Sequence, residues 1–197
     1  MSRHNIAIFV SGTGSNARVM IDHFRELKAS SGVDFNVALL ISNSKTAKAL
    51  EMAAQKNIPT LTLDRSAFRN SEELLETLKE FEVDFIVLAG FLWLIPPYLI
   101  RDFPNRIVNI HPALLPKYGG KGMYGSNVHR AVKAAGEKES GITIHYVNEH
   151  YDEGGIIFQA RTALEPTDTP EDIATKVLRL EHANYSRVVE EILTKMD

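Results

Sequence analysis

Residues 6–16 read Ile-Ala-Ile-Phe-Val-Ser-Gly-Thr-Gly-Ser-Asn, an apolar run followed by a turn with two glycines. Such an apolar run predicts a strand that is buried on both faces, as strands of parallel sheets are. Apolar side chains then recur at three- and four-residue steps, which predicts a helix, at Ala17, Met20, Ile21, Phe24 and Leu27. A buried strand, a tight turn and a helix together form the first part of a βαβ unit.

The same alternation continues through the first half of the chain. Apolar runs predict further strands at residues 35–41, 60–63, 83–89 and 106–110. Helices are predicted between them, at residues 46–56, from a cap at Asn70 to about Phe81, and at residues 97–103. The predicted fold class is therefore α/β, a doubly wound, mostly parallel twisted sheet with helices on both faces and a Rossmann-like N-terminal half.

The second half of the chain has a different pattern. Four glycines within residues 114–125 predict a mobile loop. Three elements are predicted after it, namely a helix capped by Ser126 that stops at Gly136 and two less buried strands at residues 141–147 and 156–164. A long amphipathic helix begins at Thr169-Pro170. We predict one domain over residues 1–197, with a nucleotide-binding half up to about residue 105 and a catalytic half from about residue 106.

The composition of this 197-residue chain is that of a globular protein, with 44% hydrophobic residues, 24% charged residues and a formal net charge of -3. This balance argues against a protein that coats nucleic acid or binds a membrane surface. The longest apolar run, residues 85–97, is too short to span a membrane. Because the N-terminus lacks a signal segment and the chain lacks cysteine, we predict a cytoplasmic protein. No stretch is an obvious interface, so monomer and homodimer both stay open.

The first turn is a candidate phosphate site. Free backbone N–H groups at Gly14, Ser15 and Asn16, together with the helix dipole, would hold a phosphate. The turn also fits the dinucleotide pattern G-x-G-x-x-A, but the second predicted strand lacks the terminal acid that would hold a ribose. A nicotinamide cofactor is thus disfavoured, and a monophosphate at Gly14, Ser15 and Asn16 stays open. The alternative is a tight turn whose glycines serve geometry alone.

Asn109 and His111 form a second candidate site, at the carboxyl end of a predicted strand. Side chains two residues apart in a strand lie on one face, and ligands of open parallel sheets bind at this end. An amide can donate to an oxyanion, and an imidazole can move a proton near neutral pH. The alternative is a strand end at which Asn109 makes a turn and His111 packs on Pro112.

Three further stretches have both a functional and a structural interpretation. Residues 148–155 form an acidic turn in which Asp152 could raise the pKa of a neighbouring imidazole, or a solvated hairpin. Residues 92–95 follow Gly90 and are either core or an apolar slot for a flat ligand. Glu181 lies on the last helix, where a solvated surface is the simpler interpretation. The histidines lack the spacing of a metal site, so no metal is predicted.

Taken together, these motifs resemble the folate-dependent formyltransferase family, and within it the phosphoribosylglycinamide formyltransferases. The resemblance covers nearly the whole chain and rests on five stretches in the same order, namely Ser11-Gly-x-Gly-Ser-Asn16, Leu88-Ala-Gly-Phe91, Asn109-Ile-His-Pro-x-Leu-Leu-Pro-Lys117, the turn around Asp152 and Leu180-Glu-His-x-x-Tyr185.

The resemblance implies a reaction between two small molecules without a metal. The formyl group of 10-formyltetrahydrofolate would be attacked by the amine of glycinamide ribonucleotide, giving a tetrahedral intermediate. Protonated His111 and Asn109 would stabilise its oxyanion, and Asp152 would hold His111. The proton that leaves the amine would reach the folate nitrogen through His111 or through water.

The resemblance also implies the binding residues. The ribonucleotide would contact Gly14, Ser15, Asn16, Pro112 and Glu181. The folate would contact Leu92, Trp93, Leu94, Ile95, Asn109, Asn148, Glu149, His150, Tyr151 and Asp152. Its glutamate tail is less defined, because Arg65 and Arg69 are both candidates and Trp93 stands where many members have arginine. The loop from Tyr118 to Gly125 is a hypothetical lid.

Three rival interpretations are kept. A formyltransferase that acts on methionyl-tRNA would add a basic C-terminal domain, and we expect none after Asp197. A formylfolate hydrolase would add an N-terminal regulatory domain, and here the first predicted strand begins at Ile6. A non-catalytic nucleotide-binding module would use only the Gly14 turn.

Overall fold

The computed structural model describes residues 3–196 and contains one seven-stranded sheet in the order β3-β2-β1-β4-β5-β6-β7. The strands are β1 (Arg3–Val10), β2 (Asp34–Ser42), β3 (Thr60–Thr62), β4 (Phe85–Leu88), β5 (Ile107–His111), β6 (Glu139–Tyr146) and β7 (Ile156–Ala163). Strands β1 to β5 are parallel, and β6, near one edge, runs antiparallel to both of its neighbours, β5 and β7. The mostly parallel sheet is confirmed.

The helices cover both faces of this sheet. They are α1 (Ser15–Ser31), α2 (Lys48–Gln55), α3 (Arg65–Asn70), α4 (Glu73–Glu80), α5 (Pro97–Asp102), α6 (Ser126–Ala134) and α7 (Pro170–Thr194). Ile6 and Ile8 of β1 face the core beneath α1, α2, α6 and α7, whereas Ala7 and Phe9 face the core beneath α3, α4 and α5. Burial of each large side chain contributes about 1.5–3 kcal/mol. The doubly wound arrangement is therefore confirmed.

Two predicted helix starts are wrong. Asn70 does not cap a helix but is the last residue of α3. This helix is capped instead by Asp64, whose carboxylate accepts hydrogen bonds from the N–H groups of Ser66 and Ala67. A six-residue helix is too short to show an apolar period, so it went unpredicted. Ser126 is the first residue of α6 and not its cap, because its hydroxyl accepts from Arg130 at 2.9 Å.

The last helix begins as predicted. The Thr169 hydroxyl accepts from the N–H of Asp172 at 3.1 Å, and the Asp172 carboxylate accepts from the N–H of Thr169 at 2.9 Å, which forms a capping box. Tyr185, fully buried on α7, donates its hydroxyl to the carbonyl of Leu88 at 2.9 Å. The helix is thereby tied to the carboxyl end of β4. No helix within residues 3–196 is both long and apolar enough to cross a membrane.

The connections after β1 and β4 diverge at the centre of the sheet, because β2 lies on one side of this pair and β5 on the other. The N–H of Ser11 donates to the carbonyl of Gly90 at 3.1 Å, and the Ser11 hydroxyl accepts from the N–H of Leu92 at 3.0 Å. Gly90 has a φ of 77°, a conformation that glycine adopts easily. This crevice is where doubly wound proteins bind ligands.

Candidate active site

A cavity of about 640 Å³ opens along the carboxyl edge of the sheet. Its walls come from the segment after β4, the end of β5, the loop before α6, the turn after β6 and one face of α7. Asn109 and His111 line it together, as their shared strand face predicts. The volume is in the range of small-molecule sites.

His145, which the sequence did not suggest as a site residue, holds Asn109. Strand β6 pairs with β5 so that His145 lies opposite Asn109 and Thr143 lies opposite His111. The His145 Nδ1 lies 2.8 Å from the carbonyl of Tyr146, which can only accept, so Nδ1 carries a proton. In the neutral ring Nε2 then accepts from the Asn109 amide at 3.1 Å. One N–H of Asn109 is thus engaged, and the second has no hydrogen-bond partner within residues 3–196.

Asp152 reaches this pair from the turn between β6 and β7. Its Oδ2 accepts from the N–H of Gly120 at 2.9 Å and lies 3.4 Å from Nδ1 of His111, and its Oδ1 lies 3.6 Å from Nε2 of His145. The Asp152 side chain is only 11% exposed, so this part of the turn is not a solvated hairpin. Asn109, His111 and Asp152 therefore meet, as the resemblance implies.

The charges of this cluster depend on opposing effects. Burial acts to raise the pKa of Asp152, but interactions with His145, His111 and the Gly120 N–H outweigh it and hold that pKa below the usual aspartate value. Burial lowers the pKa of His111 below the ordinary histidine value, and the Asp152 charge and the Tyr118 carbonyl compensate only in part. These effects favour the neutral ring in the unliganded protein, whereas the expected protonated ring belongs to the reaction intermediate, in which an oxyanion lies nearby.

The surroundings of His111 nevertheless suit a second proton. Its Nε2 donates to the carbonyl of Tyr118 at 2.8 Å, while Nδ1 faces the Asp152 carboxylate. Both ring nitrogens thus face hydrogen-bond acceptors, a pattern that favours the imidazolium once a negative charge develops beside it.

The other end of the cavity lies against α1. Gly14 precedes this helix with a φ of 71°, and the Asn16 amide donates to the Glu181 carboxylate at 2.7 Å. Burial raises the pKa of Glu181, and the bond from Asn16 opposes that shift. Asn16, Pro112 and Glu181 line the cavity, whereas Gly14 and Ser15 do not. Glu181 is therefore not a freely solvated surface residue.

The apolar wall consists of residues 92–95, all four of which line the cavity. Leu92 and Leu94 are 46% and 42% exposed, and Ile95 is buried. The ring of Trp93 packs against Phe68 and Phe91, with the guanidinium of Arg65 5.6 Å from its centre. Exposed leucines beside a cavity support the interpretation as an apolar slot, and Ile95 also belongs to the core.

The turn after β6 completes the cavity. Asn148, His150 and Tyr151 line it, but Glu149 is exposed and does not. Glu149 is therefore not brought to the site. His129 of α6 is a further lining residue that the sequence analysis missed, and no motif marks it. The described part of the chain contains no group of three or more His, Cys, Asp or Glu residues that could hold a metal ion.

Comparison with known proteins gives consistent results. The family model described as formyl transferase matches residues 4–189. A protein of Arabidopsis thaliana named phosphoribosylglycinamide formyltransferase, chloroplastic, is 44% identical over 95% of this chain and 64% of its own length. The phosphoribosylglycinamide formyltransferase of Escherichia coli (strain K12) is 35% identical over 94% of this chain and 85% of its own length. This chain spans 64% of the length of the Arabidopsis thaliana protein and 60% of that of a Vigna unguiculata protein of the same name, which is less than two thirds of each.

Solved structures agree with these matches. The crystal structure of phosphoribosylglycinamide formyltransferase from Bacillus halodurans has a TM-score of 0.85 to this one at 36% identity, covering 98% of this chain and 97% of that one. The doubly wound sheet with an amide, an imidazole and a carboxylate in one cavity defines an α/β protein with an acid–base site for small ligands. More narrowly, the chain belongs to the formyl transferase family and has the fold of its solved members.

Proposed function

We propose that this protein transfers the formyl group of 10-formyltetrahydrofolate to the amine of glycinamide ribonucleotide, a step of purine biosynthesis. The observation that carries the proposal is the meeting of Asn109, His111 and Asp152 in a cavity with an apolar wall on one side and the start of α1 on the other. The relatives named above carry the name of this activity.

The cavity suits both substrates. Residues 92–95 offer apolar surface for a flat pterin and benzoyl system, with backbone groups of residues 148–152 nearby. A phosphate placed at Gly14, Ser15 and Asn16 would meet the free N–H groups that begin α1. The Oδ1 of Asn16, which can only accept a hydrogen bond, is buried without a partner among residues 3–196, so a donor of the ribonucleotide such as a ribose hydroxyl or its amine would satisfy it.

The proposed reaction is an addition followed by an elimination. The amine nitrogen forms a bond to the formyl carbon, and the electron pair of the carbonyl bond moves to oxygen. The free N–H of Asn109 donates to this oxyanion, and the positive charge of a protonated His111 stabilises it, while Asp152 and the Tyr118 carbonyl hold the ring. The bond from carbon to the folate nitrogen then breaks, and that nitrogen receives the proton the amine loses.

Compartment and assembly stay predictions from the sequence, namely a cytoplasmic protein that is a monomer or a homodimer. The glutamate tail of the folate is assigned to Arg65, because its guanidinium lies over Trp93 at the cavity wall and Arg69 has no such contact in the described chain. The loop from Tyr118 to Gly125 acts as a lid in this proposal, because residues 120–125 line the cavity and the N–H of Gly120 donates to the Asp152 carboxylate inside it.

The test follows the absorbance of a 10-formylfolate analogue with and without glycinamide ribonucleotide. We expect deformylation only with the ribonucleotide, and His111→Ala to lower its rate by about 100- to 1,000-fold while both ligands still bind. Turnover without the ribonucleotide would indicate a hydrolase, and a requirement for charged tRNA would indicate the tRNA enzyme. Ribonucleotide binding without turnover in the unmodified protein would indicate a binding module.

A further inference from the structure

The mechanism above leaves one buried histidine of the cavity unused. His129 on α6 is 7% exposed and lines the cavity together with Asn109 and His111. Its Nδ1 is enclosed by protein and has no hydrogen-bond partner among residues 3–196. Its Nε2 is not enclosed in this way and makes no hydrogen bond within the same range, so it opens on the cavity.

The position of the proton on His129 follows from these surroundings. A neutral imidazole carries one proton, on either nitrogen. A proton on Nδ1 would be a buried donor without an acceptor, which proteins tolerate less well than an unused lone pair. The proton therefore lies on Nε2, and the ring directs an N–H into the cavity.

A second proton on this ring is unfavourable. It would place a charge in an enclosed position and turn Nδ1 into a donor that nothing accepts. Burial lowers the pKa of His129 below the ordinary histidine value, and His111, the ionisable neighbour whose charge acts on this ring, lowers it further. His129 is thus suited to donate a hydrogen bond and unsuited to accept a proton.

The other buried imidazoles of the cavity have their nitrogens engaged. His111 donates Nε2–H to the carbonyl of Tyr118 at 2.8 Å. His145 donates Nδ1–H to the carbonyl of Tyr146, and its Nε2 accepts from the amide of Asn109. Within residues 3–196, His129 is the buried imidazole at this cavity with a free N–H. Oxyanion sites in enzymes combine several such donors, so a free N–H beside Asn109 and His111 would add to the stabilisation of an oxyanion there.

We propose that His129 donates its Nε2–H to the formyl oxygen while that oxygen becomes negative, acting beside Asn109 as a neutral catalytic donor. The proposal rests on the proposed function, because it concerns the same reaction. No proton moves through His129. The electron pair that moves onto oxygen when the amine adds returns to the carbon–oxygen bond when the folate nitrogen leaves, and the hydrogen bond follows that charge.

The kinetic test compares two substitutions of similar size. His129→Leu fills the space without a donor, whereas the amide of His129→Gln places an N–H near the former Nε2. We expect His129→Leu to lower kcat by about 100-fold, with the dissociation constant of the ribonucleotide changed by less than about twofold, and His129→Gln to retain most of the activity. Thermal melts followed by circular dichroism establish that both variants fold.

Full kcat in folded His129→Leu would overturn the proposal, and so would a weaker ribonucleotide affinity at unchanged kcat, which would mean that His129 binds an oxygen of the ground state. An unmodified protein that transfers no formyl group would instead overturn the proposed function.

A spectroscopic test does not depend on the substrates. In the ¹⁵N-labelled protein we expect His129, assigned by the signal lost in His129→Gln, to be the neutral Nε2–H form at about pH 7 and still at about pH 6. A ring protonated on Nδ1, or charged at about pH 6, would contradict the donor role whatever the reaction is.

Discussion

The carboxylate of Asp152 opposes the effect of burial on His111. Burial lowers the pKa of His111, and the charge of Asp152, 3.4 Å from Nδ1, raises it again in part. Asp152→Asn keeps an oxygen that can accept from the N–H of Gly120 but removes this charge. The pKa of His111 should therefore fall further, so the imidazolium forms less readily when the oxyanion develops.

We expect Asp152→Asn to reduce kcat by about 100-fold and to move the basic limb of the pH–rate profile to lower pH. Stopped or continuous deformylation assays across the pH range measure both effects. Glu149→Gln is the matched control, because Glu149 lies exposed on the same turn and should leave the profile unchanged. A basic limb that stays in place in Asp152→Asn would show that Asp152 does not tune His111.

At this scale the sequence predicts some site residues better than others. Asn109 and His111 are predictable because strand alternation places them on one face. His145 is not, because its contact with Asn109 depends on the register between β5 and β6, which no local pattern reveals. The resemblance implies Glu149 as a folate contact, but the backbone brings Asp152 inward and leaves Glu149 in solvent.

Among the elements, the start of α1 depends on one glycine. Gly14 has a φ of +71°, and a Cβ added there would lie 2.6 Å from the Cβ of Ala49 on α2. Both the left-handed backbone and the close contact oppose any side chain. The spacing of α1 and α2 therefore requires glycine at this position.

We expect Gly14→Ala to lower the free energy of unfolding by about 3 kcal/mol, from left-handed strain and overpacking together. It should also weaken ribonucleotide binding, because the N–H groups that begin α1 would shift. Urea denaturation and calorimetric titration measure the two effects. Gly12→Ala is the control, since a Cβ there meets nothing within 4 Å and its φ is not in the left-handed region. Equal stability of the two variants would contradict the argument.

Element prediction succeeded where one signal dominates. The apolar run of β1 and the Thr169-Pro170 start of α7 are each compatible with few other local structures, and both elements lie where the sequence predicts them. The segment between β3 and β4 was predicted as a single helix, but Ser71 and Glu72 separate α3 from α4. Asp64 caps α3, and the Ser71 hydroxyl accepts from the N–H of Glu73 at 3.1 Å where α4 begins, so the predicted helix corresponds to α4 with a later start.

Across the whole molecule, the site depends on long-range topology. Asn16 and Glu181 come from opposite ends of the chain, and their hydrogen bond forms because α1 and α7 pack on the same face of the sheet. The rule that ligands bind at the carboxyl edge predicts the place of the cavity. It does not predict which side chains of α6 and α7 line that cavity, so the position of His129 in the site cannot be predicted from the sequence.

Three histidines with lowered pKa values also link overall stability to pH. The pKa values of His111, His129 and His182 all lie below the ordinary value, with burial the first cause of each. Below the unfolded-state pKa of about 6.5, the unfolded chain binds protons that the folded chain excludes, so stability falls with falling pH. The raised pKa of Glu181 acts in the opposite direction, because the folded state holds that proton more tightly.

We therefore expect the free energy of unfolding, measured with urea, to decrease between about pH 7.5 and about pH 5.5, by up to about 1.4 kcal/mol per pH unit for each fully buried histidine. His129→Gln removes one such group, so its stability should fall less steeply with acid than that of the unmodified protein, whatever its stability at neutral pH. His150→Gln, at an exposed histidine, should keep the original slope. If the slope of His129→Gln equals that of the unmodified protein, the folded state accepts a proton at His129, and the enclosure of its Nδ1 does not keep the ring neutral.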